Sequence, residues 1–587
     1  MKVTTTASLA FLAVAPVFAS SLTQLPVGYE PWAGERYYQF KYPIRRVAII
    51  GAGVGGLIAY RELRDAGFDV HIYERDNVPG GNWHYSDEVP VDTSIPSNRN
   101  VAVGDYIPSL PPKGVTLPYV EEYEDGEEAE EGNDFRRRAH RAPKPIWKSL
   151  TSNAPAPVQQ IRETPWPAGT PWALANEKLQ RYLRSFASWQ GVNANDNSPN
   201  ISYNTRVELV EKNLSANGEE IGWALTIKEL VPTKPNTLRA TWRKENFDAI
   251  IVATGRYNAP NVPNIAGVKE WADRFPGHIL HARQYRRPEV FANETVLIVG
   301  AATSGGEIAR DIIQHVKKIY QSVRLLSLDS LEAFSSVACL KMLPSYLKSN
   351  GSFPVDSFAE GRIELINGTV ISGVDRVIFA TGYRYTYPFL PQYHNASLGL
   401  NDTGPAEGIQ PIVTDGTHLR SLYLDAFYIP DPTLTFINAN FGMQSFTYAE
   451  FVSLAIAKVW SRKADFPPIQ ELWRHYGEVY KERKGYGRHF QFLGTEGTRR
   501  LRFFQGWLND AAVKYGGKQI DGLSKELPQI SEIWVQARFN LASEALINTI
   551  DPSSLSALGI DDQDPALNAT ITGAEPWAQD LAFDDYW

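Results

Sequence analysis

Cysteine is almost missing from this sequence: among 587 residues there is one, Cys339. A lone thiol has no internal partner, so no internal disulfide can staple the chain. A dithiol redox centre of the disulfide-reductase kind is excluded on the same ground. Histidine is sparse, and the ten present are scattered without ligand spacing, so no metal site is expected. No Ser–His–Asp set stands out either. An excess of positive charge is also lacking. The formal net charge is −8, which gives no reason to expect nucleic acid as a partner. Beyond the first twenty residues, no apolar run is long enough to span a bilayer.

What remains is a large and well-stocked chain. A 43% hydrophobic fraction with 15 Trp excludes general disorder, and the length calls for two or three domains. The first nineteen residues read as a signal peptide. Lys2 supplies the positive start, Ala7 to Ala19 the apolar core, and Val17-Phe18-Ala19 a small-residue cleavage site. An uncleaved anchor is the alternative. Eight N-x-[ST] sequons, at Asn200, Asn213, Asn293, Asn350, Asn367, Asn395, Asn401 and Asn568, agree with a secreted glycoprotein. The terminal Asp584-Asp585-Tyr586-Trp587 is not a retention signal of the KDEL type. The expected location is the secretory pathway and the extracellular space.

The stretch that organises the chain is RVAIIGAGVGGLIAYRELRDAGFDVHIYERDNVPGGNW, residues 46–83. Val47-Ala48-Ile49-Ile50 suits a strand buried on both faces. Gly51, Gly53 and Gly56 follow in G-x-G-x-x-G spacing. An amphipathic helix is expected to end near Gly67, and a second strand, Val70 to Tyr73, runs into Glu74. Each part has a physical task. The first glycine permits a tight turn, the second lets a pyrophosphate approach the backbone, and the third lets the helix pack on the strand. The helix N-terminus offers free N–H groups to phosphates, and Glu74 is placed to accept from a ribose. Together these parts predict a dinucleotide site.

Residues 20–45 are Pro- and aromatic-rich and read as an extended surface arm. Tyr85 to about Pro145 reads as an irregular insertion, with an acidic run from Glu121 to Glu131 followed by Arg136-Arg137-Arg138-Ala139-His140-Arg141. The expectation is a solvated loop outside the core, tolerant of deletion from Glu121 to Arg138. Residues 174–190 predict an amphipathic helix with Leu179, Tyr182, Leu183 and Phe186 on one side. Segments around Arg206–Val210 and Trp223–Ile227 predict an antiparallel meander. Asp248 to Gly255 is another buried strand ending in a small-residue turn. Val296 to Gly305 then repeats the strand-turn-helix logic, with Ala302 in place of the middle glycine. Two such units predict two nucleotide-binding domains, the first for a permanently bound flavin and the second for a nicotinamide cofactor. A structural repeat that binds nothing is the alternative for the second. The strand after that turn is expected at Val323–Asp329. A further strand, Asp375 to Tyr383, matches the one ending at Gly255 and suggests that the chain re-enters the first domain there. From about Ile469 the sequence is largely helical and carries no legible motif.

These residues bring the chain close to one family: it resembles a class B flavin-containing monooxygenase. The family pattern F-x-G-x-x-x-H-x-x-x-[YF] is present as Phe275, Gly277, His281 and Tyr285, directly before the second glycine turn. Baeyer–Villiger relatives end a similar pattern in Trp, against which Tyr285 argues. Gly80-Gly81-Asn82-Trp83 resembles the family's GGxW segment, and Asp375 to Tyr383 its D-x-x-x-F-A-T-G-Y motif. Trp147 to Asn153 resembles the segment whose final Asn lies beside the flavin in relatives. The resemblance covers roughly residues 45–460.

The resemblance implies an α/β chain with two Rossmann-like domains and a helical C-terminal extension. An FAD domain (20–256 and 376–587) would be interrupted by a smaller NADPH domain (257–375). NADPH would reduce FAD, and O2 would add to give a C4a-hydroperoxyflavin that oxygenates a nucleophilic N or S atom of a small organic substrate. The implied cofactor residues are Gly51, Gly53, Gly56, Glu74, Gly81 and Trp83, with Gly300, Ser304, Gly305, Thr381 and Gly382 in the second half. Asn153 is the implied catalytic residue, although a bare Asn before Ala-Pro also reads as a turn residue. His281 and Tyr285 read as linker and packing residues rather than acid–base catalysts. Asp329 would repel a 2′-phosphate, which leaves NADH open beside NADPH. Two further readings stay open: a flavin oxidase reduced by its own substrate and releasing hydrogen peroxide, and a Baeyer–Villiger-type oxygenation. A secreted flavin-binding protein without turnover is a third class.

Overall fold

The computed structural model describes residues 37–91, 94–97, 106–125, 132–323, 341–344, 363–364, 370–400, 402–405, 408–494 and 496–520. The expected signal peptide, Cys339, Asp329 and the sequons at Asn350, Asn367, Asn401 and Asn568 lie outside them.

The opening stretch folds as its pattern predicts. Strand β1 (Arg46–Ile50) leads into helix α1 (Val54–Asp65), and strand β2 (Asp69–Tyr73) lies parallel to β1. Strand β3 (Ala249–Val252) flanks β1 on its other side, also parallel. The sheet runs Leu422–Tyr423, Phe427–Tyr428, Leu434–Phe436, β3, β1, β2, Ile201–Ser202. Val47, Ala48 and Ile49 have no exposed surface, because both faces of the sheet are covered. Val47 and Ile49 pack with Leu57, Leu63, Leu183 and Phe186 on the helical side. Ala48 and Ile50 pack with Trp223, Leu225 and Ile227 of an antiparallel sheet on the other.

That antiparallel sheet is the expected meander with one strand more. Thr205–Leu214, Glu220–Lys234 and Thr237–Phe247 form consecutive pairs, and Tyr119–Glu124 adds the outer edge. The insertion is therefore not a solvated loop throughout. Tyr119 and Tyr123 turn inward against Trp242, while Glu122 points out to Arg239 at 2.8 Å. The period-2 pattern was hidden by the acidic residues on its outer face. The basic block that follows is a helix, Asn133–Arg141, with Asn133 and His140 buried.

Strand β4 (Thr295–Val299), helix α2 (Thr303–Ile312) and strand β5 (Arg376–Phe379) belong to a second, wholly parallel sheet. Its order is Ile279–His281, β5, β4, Lys318–Val323, Lys341–Pro344. Two expectations need correction here. The strand after the second turn begins at Lys318 rather than at Val323, and residues 324–329 of the expected strand lie outside the described residues. More importantly, β5 does not return the chain to the first sheet. It pairs with β4, so the boundary expected at 375 falls inside the second sheet. The chain rejoins the first sheet through Leu422–Phe436. Ala259–Pro260 and Tyr383–Arg384, the outgoing and returning segments, pair antiparallel.

Helix α3 (Ser445–Trp460) lies against α1 and is buried almost all round, as its mostly apolar sequence suits, with Glu450 and Lys458 buried among the apolar residues. Helices Ile469–Glu482 and Glu496–Tyr515 bear out the helical region expected after Ile469 as far as residue 520, and residues 521–587 lie outside the described residues. Among the described residues no helix is long and apolar enough to cross a membrane.

Candidate cofactor and active site

At the carboxyl end of β1 the backbone turns so sharply that side chains are excluded. Gly51 has φ +107°, and a Cβ there would sit 2.7 Å from the Ala253 carbonyl oxygen. A Cβ on Gly56 would sit 1.9 Å from the Gly51 carbonyl oxygen, so α1 can pack on β1 only because that atom is missing. Gly53 is different. A Cβ there would meet only the Gly81 Cα, at 3.6 Å, whereas a Cβ on Gly81 would come within 2.9 Å of the Gly53 Cα, so the two backbones run close together at the cavity wall. Glu74 is buried at the end of β2. Its carboxylate accepts from the Ala52 N–H (2.7 Å) and the Asp76 N–H (2.9 Å), with Lys144 Nζ 3.7 Å away. Burial alone would raise the Asp76 carboxyl; the His84 hydrogen bond (2.9 Å), Lys144 and Arg141 overcome it and hold the group well below the usual carboxylate range. A flavin dinucleotide fits this edge: there is a glycine wall that a Cβ would crowd, a helix N-terminus without a side-chain cap, and a carboxylate at the strand end.

The second turn repeats the construction. Gly300 has φ +107°, and a Cβ there would lie 2.6 Å from the Ala380 carbonyl oxygen. A Cβ on Gly305 would lie 2.2 Å from the Gly300 carbonyl oxygen. Ala302 takes the middle position with an ordinary φ of −68° and begins α2. The two Ala-Thr-Gly segments thus do the same work in different sheets: Ala253 closes on Gly51, and Ala380 closes on Gly300.

Both turns open into one cavity of about 610 Å³. Gly51, Gly53, Glu74, Gly81 and Trp83 line it from the first unit, and Ala302, Thr303 and Ser304 from the second. Asn153 and Tyr383 are also on its wall. Asn153 is exposed on a loop pinned on both sides: Ser152 N–H donates to Leu174 O (2.7 Å), and Ala154 N–H donates to Ser152 Oγ (3.0 Å). Gly56, Gly300, Gly305, Thr381 and Gly382 do not line the cavity. The first three are the close-packing glycines just described. Thr381 and Gly382 instead bind the outgoing segment: Thr381 Oγ1 donates to Asn261 O (2.6 Å), and Asn261 N–H donates to Gly382 O (2.8 Å).

His281 has no exposed surface. Its Nδ1 accepts from the Arg283 N–H (3.1 Å), and its Nε2 donates to Gly382 O (2.9 Å). Burial pushes its pKa down to about 3, so the ring is neutral. Tyr285 donates to Asp311 (2.5 Å) and packs edge-on against Trp147. Neither lines the cavity, in keeping with linker and packing roles.

The motifs do not mark several residues that the cavity uses. Lys144, beside Glu74, comes from the insertion. Phe441 to Ser445, Phe492, Gly494 and Leu501 form a wall from the C-terminal third, where no motif is legible. Arg256 had one available signal: it follows a small-residue turn at the carboxyl end of a parallel strand, where ligands bind in such sheets.

Known proteins share this sequence and fold. The family described as flavin-binding monooxygenase-like matches residues 129–328, and the NAD(P)-binding Rossmann-like domain matches residues 49–99. The flavin-containing monooxygenase iboF of Amanita muscaria is 51% identical over 499 residues, covering 82% of this chain and 91% of its own. The flavin-containing monooxygenase ustF2 of Aspergillus flavus is 29% identical over 476 residues, covering 77% and 89%. The S-allyl-L-cysteine S-oxygenase of Allium sativum has the same fold, with a TM-score of 0.61 at 21% identity, over 90% of this chain and 98% of its own.

Proposed function

Since the chain belongs to the flavin-containing monooxygenase family and is a flavin-dependent enzyme, we propose that it uses NADPH and O2 to oxygenate a nucleophilic nitrogen or sulfur atom of a small organic substrate. The observation that carries this reading is the shared cavity. Gly53 and Ala302–Ser304, the ligand-facing parts of the two dinucleotide turns, open into the same space with Asn153 on its wall. A flavin bound there supplies the redox and oxygen chemistry. The chain supplies position and shelter. Helix α1 and Glu74 would hold the flavin dinucleotide, and α2 the nicotinamide dinucleotide. Asn153 would offer an amide hydrogen bond at the reacting end, and Trp83, Phe441 and Phe492 give the cavity apolar wall.

The test is a coupled assay on the FAD-loaded enzyme. NADPH should bleach the flavin faster than NADH, and air should then restore it with oxygenated product. Asn153→Ala should still take up FAD and be reduced, but should release most of its oxygen as hydrogen peroxide. A lost hydrogen bond of about 1.5–3 kcal/mol corresponds to roughly one to two orders of magnitude in the rate of peroxide loss relative to oxygen transfer. Wild-type enzyme that ignores NADPH and yields peroxide alone would make it an oxidase. The secretory location belongs to the same proposal. Asn293 is an exposed sequon at φ +62°, whereas the Asn200 amide donates to Tyr60 Oη (3.0 Å). Glycan is expected at Asn293 before Asn200, read by mass spectrometry of secreted protein.

A further inference from the structure

Four cations line the cavity: Arg75, Lys144, Arg206 and Arg256. Three have carboxylate or amide partners in the protein. Lys144 faces Glu74 and Asp76, Arg206 pairs with Glu208 (2.9 Å), and Arg75 donates to Asn258 Oδ1 (2.7 Å). Arg256 has no carboxylate within 4.0 Å among the described residues. Aromatic rings surround it instead. Its guanidinium carbon lies 3.9 Å from the centre of Phe441, 5.1 Å from Tyr257 and 5.7 Å from Tyr385, whose hydroxyl donates to Ala439 O (2.6 Å). Its Nη1 is buried without a hydrogen-bond partner. A guanidinium stacked on rings keeps its edge donors in the plane, where they can grip a carboxylate bidentately. A charge and a donor left unmatched in a low-dielectric pocket favour a ligand that carries the missing anion.

We infer that Arg256 anchors a carboxylate on the substrate, so that this enzyme takes acidic or zwitterionic nucleophiles, amino-acid-like compounds among them, in preference to simple amines or thioethers. The assignment rests on the monooxygenase reading above. It shares the cavity with both dinucleotide turns, and its side chain packs on the wall from the C-terminal third. Phe441, on which Arg256 stacks, is hydrogen-bonded on both sides to the segment carrying Phe492: Phe441 N–H donates to Gln491 O (3.1 Å), and Leu493 N–H to Phe441 O (2.8 Å). The Arg256 guanidinium is therefore held against the C-terminal wall, while its backbone continues from Ala253, which closes on Gly51. The N-termini of α1 and α2 serve the cofactor phosphates.

The probe is benzoate against benzamide, which share a shape and differ in charge. Both are titrated into oxidised, FAD-loaded enzyme, with flavin absorbance and calorimetry as readouts. Wild type should bind benzoate and reject benzamide. Arg256→Met should weaken benzoate binding about ten- to a hundredfold, and Arg256→Lys should recover part of it. Flavin content checks that both variants are folded. Equal binding of benzoate by wild type and Arg256→Met would overturn the inference, as would no benzoate binding by wild type. A parallel NADP+ titration separates the sources of anion. A loss of NADP+ affinity in Arg256→Met as large as the loss for benzoate would give the cation to the cofactor instead. Bleaching of wild-type flavin by NADPH tests the underlying reading separately, because it needs no substrate anion.

Discussion

At the scale of single residues, the glycines were legible because backbone geometry dictates them. Gly51 and Gly56 admit no Cβ, and Gly53 lines the cavity wall that a pyrophosphate would lie against. Gly53→Val should therefore fold and lose FAD: the added carbons have room against the protein but enter the ligand's place. The check is flavin absorbance per protein after purification, beside a thermal melt near that of the wild-type apoprotein. His281 tests the opposite kind of residue, one held by burial. Its folded pKa of about 3 lies below its ordinary value near 6.5, so the unfolded chain takes up the proton first. Stability is complete above about pH 6.5 and falls as pH drops, with the loss levelling off only near the folded pKa. The loss between about pH 6.5 and 4.5 is on the order of 2 kcal/mol from this ring. His281→Gln, which keeps a donor for Gly382 O, should flatten that part of the denaturation curve. Lys144 and Arg256 were not legible in their roles, because a cation's task is set by its neighbours in space. Those neighbours are Glu74 for one and Phe441 for the other, both distant in sequence.

At the scale of elements, β1, α1 and β2 could be read directly because their contacts are local and their periods clear. The edge strand Tyr119–Glu124 could not, since its partner Thr237–Phe247 is more than a hundred residues away and its outer face is acidic. The consequence is a reversed expectation for the insertion. Removing Glu121 to Arg138 takes away most of a sheet edge and a helix. It also removes the Tyr123 ring and the Asn133 amide, which donates to Tyr123 O (3.1 Å) and Asn236 O (2.8 Å). Several ladder hydrogen bonds at about 1 kcal/mol each, with the exposed Trp242 face added, imply a loss of at least about 3 kcal/mol. Differential scanning calorimetry should show the melting temperature falling by several degrees. Flavin release should rise as well, because the helix leads into Lys144 beside Glu74. An unchanged melt would return the segment to the status of a solvated loop.

At the scale of the whole molecule, the repeated Ala-Thr-Gly was recognisable, but its assignment to a sheet was not. Each copy closes on its own glycine turn, at Gly51 or at Gly300, so similar local sequence serves the same task in two sheets. Which sheet a strand joins depends on pairings that local sequence does not encode. Thr381 and Gly382 consequently sit where the chain returns from the second sheet, bound to Asn261 on the way out. Asn261 Nδ2 donates to Thr381 O (3.2 Å), and His281 Nε2 to Gly382 O. This lattice fixes the outgoing and returning segments, and with them the angle at which the two dinucleotide turns face the shared cavity. Thr381→Val removes the 2.6 Å hydrogen bond to Asn261 O and leaves both glycine turns intact. FAD content and the dissociation constant for NADP+ should stay close to wild type. Flavin reduction by bound NADPH should slow, by up to about tenfold if the lost bond costs roughly 1–1.5 kcal/mol of alignment. Stopped-flow reduction at saturating NADPH separates the two effects. A weaker NADP+ affinity with an unchanged reduction rate would instead make Thr381 a cofactor contact.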